Sequence, residues 1–335
     1  MSPSFRLRAT NGGRWWRLVD AGLVPHDGMC YQRRMTDGDA SYQNILYEVD
    51  DPVAVITLNR PEHLNAWTGA MDAEVRDAMT RANGDRRVVG IILTGAGRGF
   101  CAGADMNALD ALSSGGGDIG RDDSGRQRRE PGGRFPQRKT TAGSTGDFDG
   151  RLTYPLALDK PVIAAVNGAV AGMAYPLALA CDLRVVTPDA LFVTAFAQRG
   201  LIAEWGLSFL LPRLVGPSVA LDLLMSSRRV GGEGALRLGL ANYLVEPDEL
   251  LDFCRRYIED LAARCSPSSI AVMKRQVHEQ FHAGLGDAER ESQKLMVDSF
   301  QRPDFAEGVQ SFIRKRPPEF ARLPLDGDGE QGNVS

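Results

Sequence analysis

Two continuous apolar runs, residues 88–94 (VVGIILT) and 161–166 (PVIAAV), each lead into a stretch of small residues. This pairing constrains the fold more than any other feature. A run that is apolar at every position, not at every second one, suits a strand covered on both faces. The stretches that follow, 99–106 (GFCAGADM) and 167–174 (NGAVAGMA), set small residues between a strand end and a helix start. Small side chains let backbone N–H groups approach a ligand closely. A helix N-terminus aims unpaired donors and a positive dipole end at that ligand. Two such turns on adjacent strands can converge on one oxygen, the arrangement an oxyanion hole requires.

The rest of the chain supports a mixed architecture. Residues 45–49 and 53–58 are β-branched runs separated by Asp50, Asp51 and Pro52, which is a hairpin signal. Helical patterns cover 66–82 and 171–180, and 183–187 reads as a further strand. Strands alternating with helices predict an α/β core with parallel pairing. From Gly206 the pattern is helical. Ile270, Met273, Val277 and Phe281 share one face, as do Phe305, Val309 and Phe312 after an expected cap at Asp304. Residues 1–40 carry little periodicity and read as a disordered N-terminal arm, with Met35 an alternative start. Residues 113–150 are rich in Gly, Arg and Asp and read as a mobile insertion, and 324–335 as a polar tail.

Composition removes several functions. The net charge of -4 carries no basic footprint for nucleic acid. No apolar stretch approaches the roughly 20 residues that span a bilayer, and the first residues lack a signal-peptide run. A soluble, cytoplasmic protein without a membrane partner is the expectation. Cys30, Cys101, Cys181, Cys254 and Cys265 form no CxxC pair, so no metal site is expected. His278 and His282 stand at i, i+4 without a third ligand, and His63, His278 and His282 find no partner acid at useful spacing. Phe100 occupies the last glycine position of a GxGxxG that would begin at Gly95, which argues against a dinucleotide site.

In order along the chain stand Asn59-Arg60-Pro61 with Leu64-Asn65-Ala66, then Phe100 to Asp105, then Pro161 to Gly168, and last Phe305 to Pro317. Together these resemble the hallmarks of the crotonase (enoyl-CoA hydratase/isomerase) family, over roughly residues 45–323. The resemblance implies a stacked ββα spiral core over 41–265 and a C-terminal helical trimerisation region over 266–323. It implies a coenzyme A thioester as substrate and a homotrimer or dimer of trimers. No cofactor is expected, since coenzyme A is part of the substrate. By position, the backbone N–H groups of Ala104 and Met173 would hold the thioester oxygen as it becomes an enolate. Ala102, Gly103 and Asp105 of the first turn, together with Phe196, are expected to line the bound substrate, Asp105 reading more as a residue that orders the turn's backbone. Glu62, His63 and Leu64 match the stretch that lines the CoA groove. Phe312 and Lys315 match positions that reach a neighbouring subunit's CoA.

Hydratases of that family use two glutamates, and here Pro176 and Phe196 stand at those positions. Glu204 is the carboxylate that sequence position places beside the thioester, with Met173, Phe196 and Trp205 as an apolar wall. The bland reading is that Glu204 decorates the first turn of the helix starting near Gly206. Tyr154 and Tyr175 are further candidates for the acyl pocket. The expectation is an enoyl-CoA hydratase-like enzyme with Glu204 carrying the proton. The alternatives are an enoyl-CoA double-bond isomerase, because one base can remove and return one proton, or a non-catalytic acyl-CoA binding protein.

Overall fold

The apolar runs are buried because successive side chains of each strand enter two different cores. In the computed structural model, which describes residues 42–106, 110, 113–114, 148 and 150–324, strands β1 (Ile45–Asp50) and β2 (Val53–Leu58) form the expected antiparallel hairpin. Strands β3 (Gly90–Gly95), β5 (Val162–Val166), β7 (Leu183–Val186) and β10 (Tyr243–Leu244) add to it in parallel, in the order β1-β2-β3-β5-β7-β10. Ala54, Ile56, Ile91, Leu93, Val162 and Ala164 enter the larger core. Val53, Val55, Ile92, Ile163 and Ala165 face the opposite way, against Leu250, Cys254 and Ile258 of helix α6 (Leu250–Arg264). The two-residue period of a strand makes that division, and coverage of both faces explains the unbroken apolar pattern.

A second sheet stacks on the first. It contains β4 (Gly99–Cys101), β6 (Ala169–Ala171), β8 (Leu191–Val193) and β9 (Val230–Gly231), in that order. Each long parallel strand is followed by a short one in the other sheet: β3 by β4, β5 by β6, β7 by β8. Helix α2 (Ala174–Ala180) follows β6, and α3 (Leu207–Val215) follows β8 after a short 3-10 turn. This repeating step is the stacked ββα core expected from the resemblance. Gly168 lies where the steps touch: a Cβ there would meet the Arg98 carbonyl oxygen at 2.2 Å. Only glycine permits that approach.

Helix α1 spans Gly69–Gly84, three residues later than the pattern suggested. Leu64 and Asn65 take left-handed φ values of 50° and 56°, which no helix accommodates. Thr68 then caps the helix, its side chain accepting from Met71 N at 3.1 Å. At the other end buried Lys160 donates to the carbonyls of Ala82 (2.9 Å) and Asp85 (2.6 Å). The cation there complements the negative end of the helix dipole.

Helices α4 (Pro217–Ser226) and α5 (Gly232–Leu238) complete the core, and α7 (Pro267–Gln280), α8 (Leu285–Phe300) and α9 (Pro303–Arg314) form the C-terminal region. The cap of α9 is Arg302, with Pro303 at the first position, so Asp304 is not the cap. Its carboxylate is taken instead by the hydroxyls of Ser266 and Ser268, which start α7. Ser266 also caps α7, accepting from Ser269 N at 3.1 Å. The arm over 1–40, nearly all of the insertion over 113–150 and the tail beyond 324 lie outside the described residues.

Candidate functional site

Trp67 shapes the first turn. Its N–H donates to the Gly103 carbonyl at 2.7 Å and its carbonyl accepts from Asp105 N at 3.2 Å. This is a parallel bridge to Ala104. Such a bridge uses the groups on either side of Ala104 and turns the Ala104 N–H away from Trp67. Asn65, wholly buried, holds the strand before the turn by donating to Ala96 O (2.9 Å) and Gly99 O (2.8 Å). Ala102 N donates to Leu64 O at 3.0 Å, which lays 62–64 alongside the turn. Arg60 binds the Asp105 carboxylate at 3.2 Å and the Ala66 carbonyl at 2.7 Å. The Asp105 side chain thereby ties the first turn to Arg60.

The second turn meets the first directly. Strands β4 and β6 pair in parallel, and Gly172 N donates to Val193 O at 3.2 Å. Gly103 has φ +98°, and a Cβ on it would meet the Ala171 carbonyl oxygen at 2.8 Å and Gly172 Cα at 3.6 Å. Met173 is the cap of α2. Among the described residues, neither Ala104 N–H nor Met173 N–H donates to a protein acceptor. Two uncommitted donors thus project from turns in van der Waals contact. Both residues are half-buried, and a helix start leaves N–H groups free for an acceptor outside the helix.

Glu204 does not decorate the helix that follows it. Helix α3 is capped by Gly206 (φ +78°) and has no acid in its first turn. The Glu204 carboxylate instead accepts from its neighbour, Trp205 Nε1, at 3.1 Å through Oε2. Trp205 takes φ +55°, a conformation a bulky L-residue adopts only under constraint. Met173 and Trp205 both pack on the larger core, of which Phe196 is a buried member. Pro176 falls in the first turn of α2, where its missing N–H would have had no helical partner in any case. Neither Pro176 nor Phe196 offers a proton.

The remaining expected residues disperse. Glu62 and His63 are exposed beside the first turn, their side chains 3.8 Å apart. Phe312 is 84% exposed at the end of α9, and Lys315 follows it in a left-handed C-cap. Tyr154 and Tyr175 are fully buried core residues. His278 does have a partner acid, contrary to expectation: its Nε2 lies 3.5 Å from Asp182 Oδ1. That carboxylate also binds Lys274 at 2.7 Å and Val162 N at 2.7 Å. These contacts join α7 to the start of β5, whereas the two donor turns follow the strands' far ends. No group of three or more His, Cys, Asp or Glu among the described residues is arranged to hold a metal ion. Trp67, Asp72 and Arg151 escaped the sequence reading although they stand around the turns. Trp67 follows the Leu64-Asn65-Ala66 motif directly, and that adjacency was the available signal.

The family model described as enoyl-CoA hydratase/isomerase matches residues 48–118 and 133–322. A protein named "probable enoyl-CoA hydratase" from Rhodobacter capsulatus is 36% identical over 284 residues, 84% of this chain and 98% of that one. The 1,2-epoxyphenylacetyl-CoA isomerase of Escherichia coli is 33% identical over 280 residues, 82% of this chain and 97% of that one. The crystal structure of an enoyl-CoA hydratase from Mycobacterium tuberculosis superposes with a TM-score of 0.68 at 30% identity, covering 83% and 98% of the two chains.

Proposed function

The chain belongs to the enoyl-CoA hydratase/isomerase family, and from that premise we propose that it acts on an enoyl-CoA thioester through an enolate, with Glu204 as its proton carrier. The observation that carries this reading is the pair of uncommitted donors, Ala104 N–H and Met173 N–H, on touching turns. A thioester oxygen set between them gains two hydrogen bonds that strengthen as negative charge develops on it. The cost of orienting the donors was met when the protein folded.

Both reactions of the family pass through that enolate. In hydration, Glu204 takes a proton from water as hydroxide adds to C3 of a 2-enoyl-CoA. The same carboxyl then returns the proton to C2. In isomerisation, it takes the C2 proton of a 3-enoyl-CoA and returns it to C4, with no net change in composition. A single carboxylate suffices for the second reaction without a held water. Apolar Pro176 and Phe196 at the other two positions therefore favour isomerisation as the finer reading. The coenzyme A moiety belongs to the substrate, and the steps need no further cofactor.

The C-terminal helices support assembly. Helix α8 buries none of its residues within the protomer. Met273, Val277, Met296, Val297, Phe305 and Ile313 are all exposed across α7 to α9. Apolar surface on that scale marks a protein interface, and a homotrimer or dimer of trimers is the assembly proposed. Among the described residues no helix is long and apolar enough to cross a membrane.

The test is Glu204→Gln, assayed with straight-chain 2-enoyl- and 3-enoyl-CoA by the absorbance of the conjugated thioester. General acid–base catalysis contributes about 10²–10⁴-fold, so kcat should fall by about that factor while KM changes by a few-fold at most. Wild-type rates in the variant would return Glu204 to a structural role.

A further inference from the structure

We propose that Asp72 and Arg151 are positioning residues that hold Glu204 in register with the Ala104 turn. The proposal rests on the reading of Glu204 as the proton carrier. Asp72 stands in the first turn of α1, and its two carboxylate oxygens serve opposite sides of the site. Oδ1 accepts from the indole N–H of Trp67 at 3.1 Å. Oδ2 accepts from Arg151 Nε at 2.9 Å. Trp67 is the residue whose backbone brackets Ala104. On the other side, the Arg151 guanidinium carbon lies 5.4 Å from the centre of the Trp205 ring. Trp205 in turn donates to Glu204 Oε2 at 3.1 Å. An unbroken series of contacts therefore runs from one oxyanion donor to the acid.

Each link is individually modest. The Asp72–Arg151 pair is part-buried, with 17% and 23% of the two side chains exposed, so its worth lies in geometry more than in Coulomb energy. It adds a directional contact to each of two indoles, Trp67 buried in the larger core and Trp205 packed against it. The backbone of Trp205 is left-handed, so its ring must be held by surrounding contacts. A guanidinium over an aromatic ring supplies a directional contact of that kind. Arg151 is itself anchored, since its carbonyl accepts from Arg76 Nη2 at 3.0 Å. With Oε2 taken by the indole, Oε1 of Glu204 is left to carry the proton. Because the Arg151 charge is matched by Asp72, the cation orders Trp205 without pairing with Glu204 itself.

The ordinary alternative is that Asp72 only stabilises the N-terminus of α1, where acids are favoured. The two roles separate in a background that lacks the proton carrier. Trp205→Phe, Arg151→Gln, Arg151→Lys and Asp72→Asn are compared by turnover of a straight-chain 3-enoyl-CoA, alone and combined with Glu204→Gln. Trp205→Phe removes one N–H and keeps the ring. If the relay operates, Trp205→Phe, Arg151→Gln and Asp72→Asn each lower kcat roughly 10-fold to 100-fold, the usual cost of a small misplacement, with KM within a few-fold. Arg151→Lys recovers part of the loss, and neither Arg151→Gln nor Trp205→Phe lowers the residual rate of Glu204→Gln further. Wild-type kcat in Arg151→Gln and Trp205→Phe, with Glu204→Gln impaired, overturns the relay and leaves the proton-carrier reading standing. An equal further loss in the Glu204→Gln background also overturns it, because the effect would then not pass through Glu204. Wild-type kcat in Glu204→Gln overturns both. If Arg151→Gln does not fold, Asp72→Asn decides: wild-type kcat in that variant overturns the relay.

Discussion

Asn65 donates to the Gly99 carbonyl at 2.8 Å from a fully buried side chain. The same amide donates to Ala96 O at 2.9 Å, and its oxygen accepts from Arg60 N at 2.9 Å. One side chain thus satisfies three backbone groups on two segments that flank the first donor turn. Asn65→Ala leaves those groups unpaired, and an unpaired buried polar group costs about 1–3 kcal/mol. A loss of roughly 3 kcal/mol in urea unfolding is expected, with a fall in kcat because the Ala104 turn loosens. Asn65→Asp should be no better, since it sets a buried anion against two carbonyl oxygens. Unchanged stability in either variant would remove Asn65 as the staple of this turn.

The Ala104 N–H has no acceptor among the described residues, so its removal costs the fold no hydrogen bond. Ala104→Pro should lower kcat by about 10²–10³, the usual effect of deleting one oxyanion donor. Acyl-CoA affinity, measured by calorimetry, should change little. The turn precedes a residue held by Trp67, so circular dichroism and the melting temperature must first show that the variant folds. A folded variant with full turnover would disprove the assignment.

The two turns were legible in the sequence because small residues after a buried strand report a backbone that must come close to something, here each other. The hairpin and the strands were legible because burial on both faces leaves an unbroken apolar run. Side-chain partnerships were not. Asp72 and Arg151 meet across 79 positions, and His278 finds Asp182 across 96. No periodicity encodes such pairs. The start of α1 was misplaced because Asn65 and Trp67 are drawn into contacts with residues 96–105, which override helical propensity. Asp304 looked like a cap because local chemistry favours it, but Pro303 moves the helix start forward and two serines of α7 claim the carboxylate.

The unburied faces of α7 to α9 predict assembly through these helices. Val277 is 59% exposed and Val297 55%, on two different helices of this region. Replacing both by Glu places charge where the interface should be dry. Light scattering of the wild type should give a multiple of the protomer mass at micromolar concentration, and the double variant should shift toward a single protomer. A wild type that is monomeric under those conditions would contradict the assembly.

Three buried thiols, those of Cys101, Cys181 and Cys254, are each pushed up from about 9 to about 12 by burial. Cys254 is the cleanest to test, because desolvation is the only cause acting on it. It lies in α6 against the outer face of the large sheet, away from the donor turns. In the unfolded chain its thiol loses a proton near pH 9, whereas the folded protein keeps that proton to about pH 12. The folded state therefore binds more protons between those limits, and stability falls as pH rises through them. The contribution is fully present below pH 9. Removing the thiol removes one titrating group, so the dependence of unfolding free energy on pH should flatten by up to about 1.4 kcal/mol per pH unit in Cys254→Ala. The variant is expected to be less stable than wild type at pH 7, because a fully buried side chain is truncated, and the gap should close as the pH is raised from 9 toward 11. Denaturant unfolding of both proteins at several pH values measures this directly. Parallel curves would show that the Cys254 thiol is not held protonated by burial in α6.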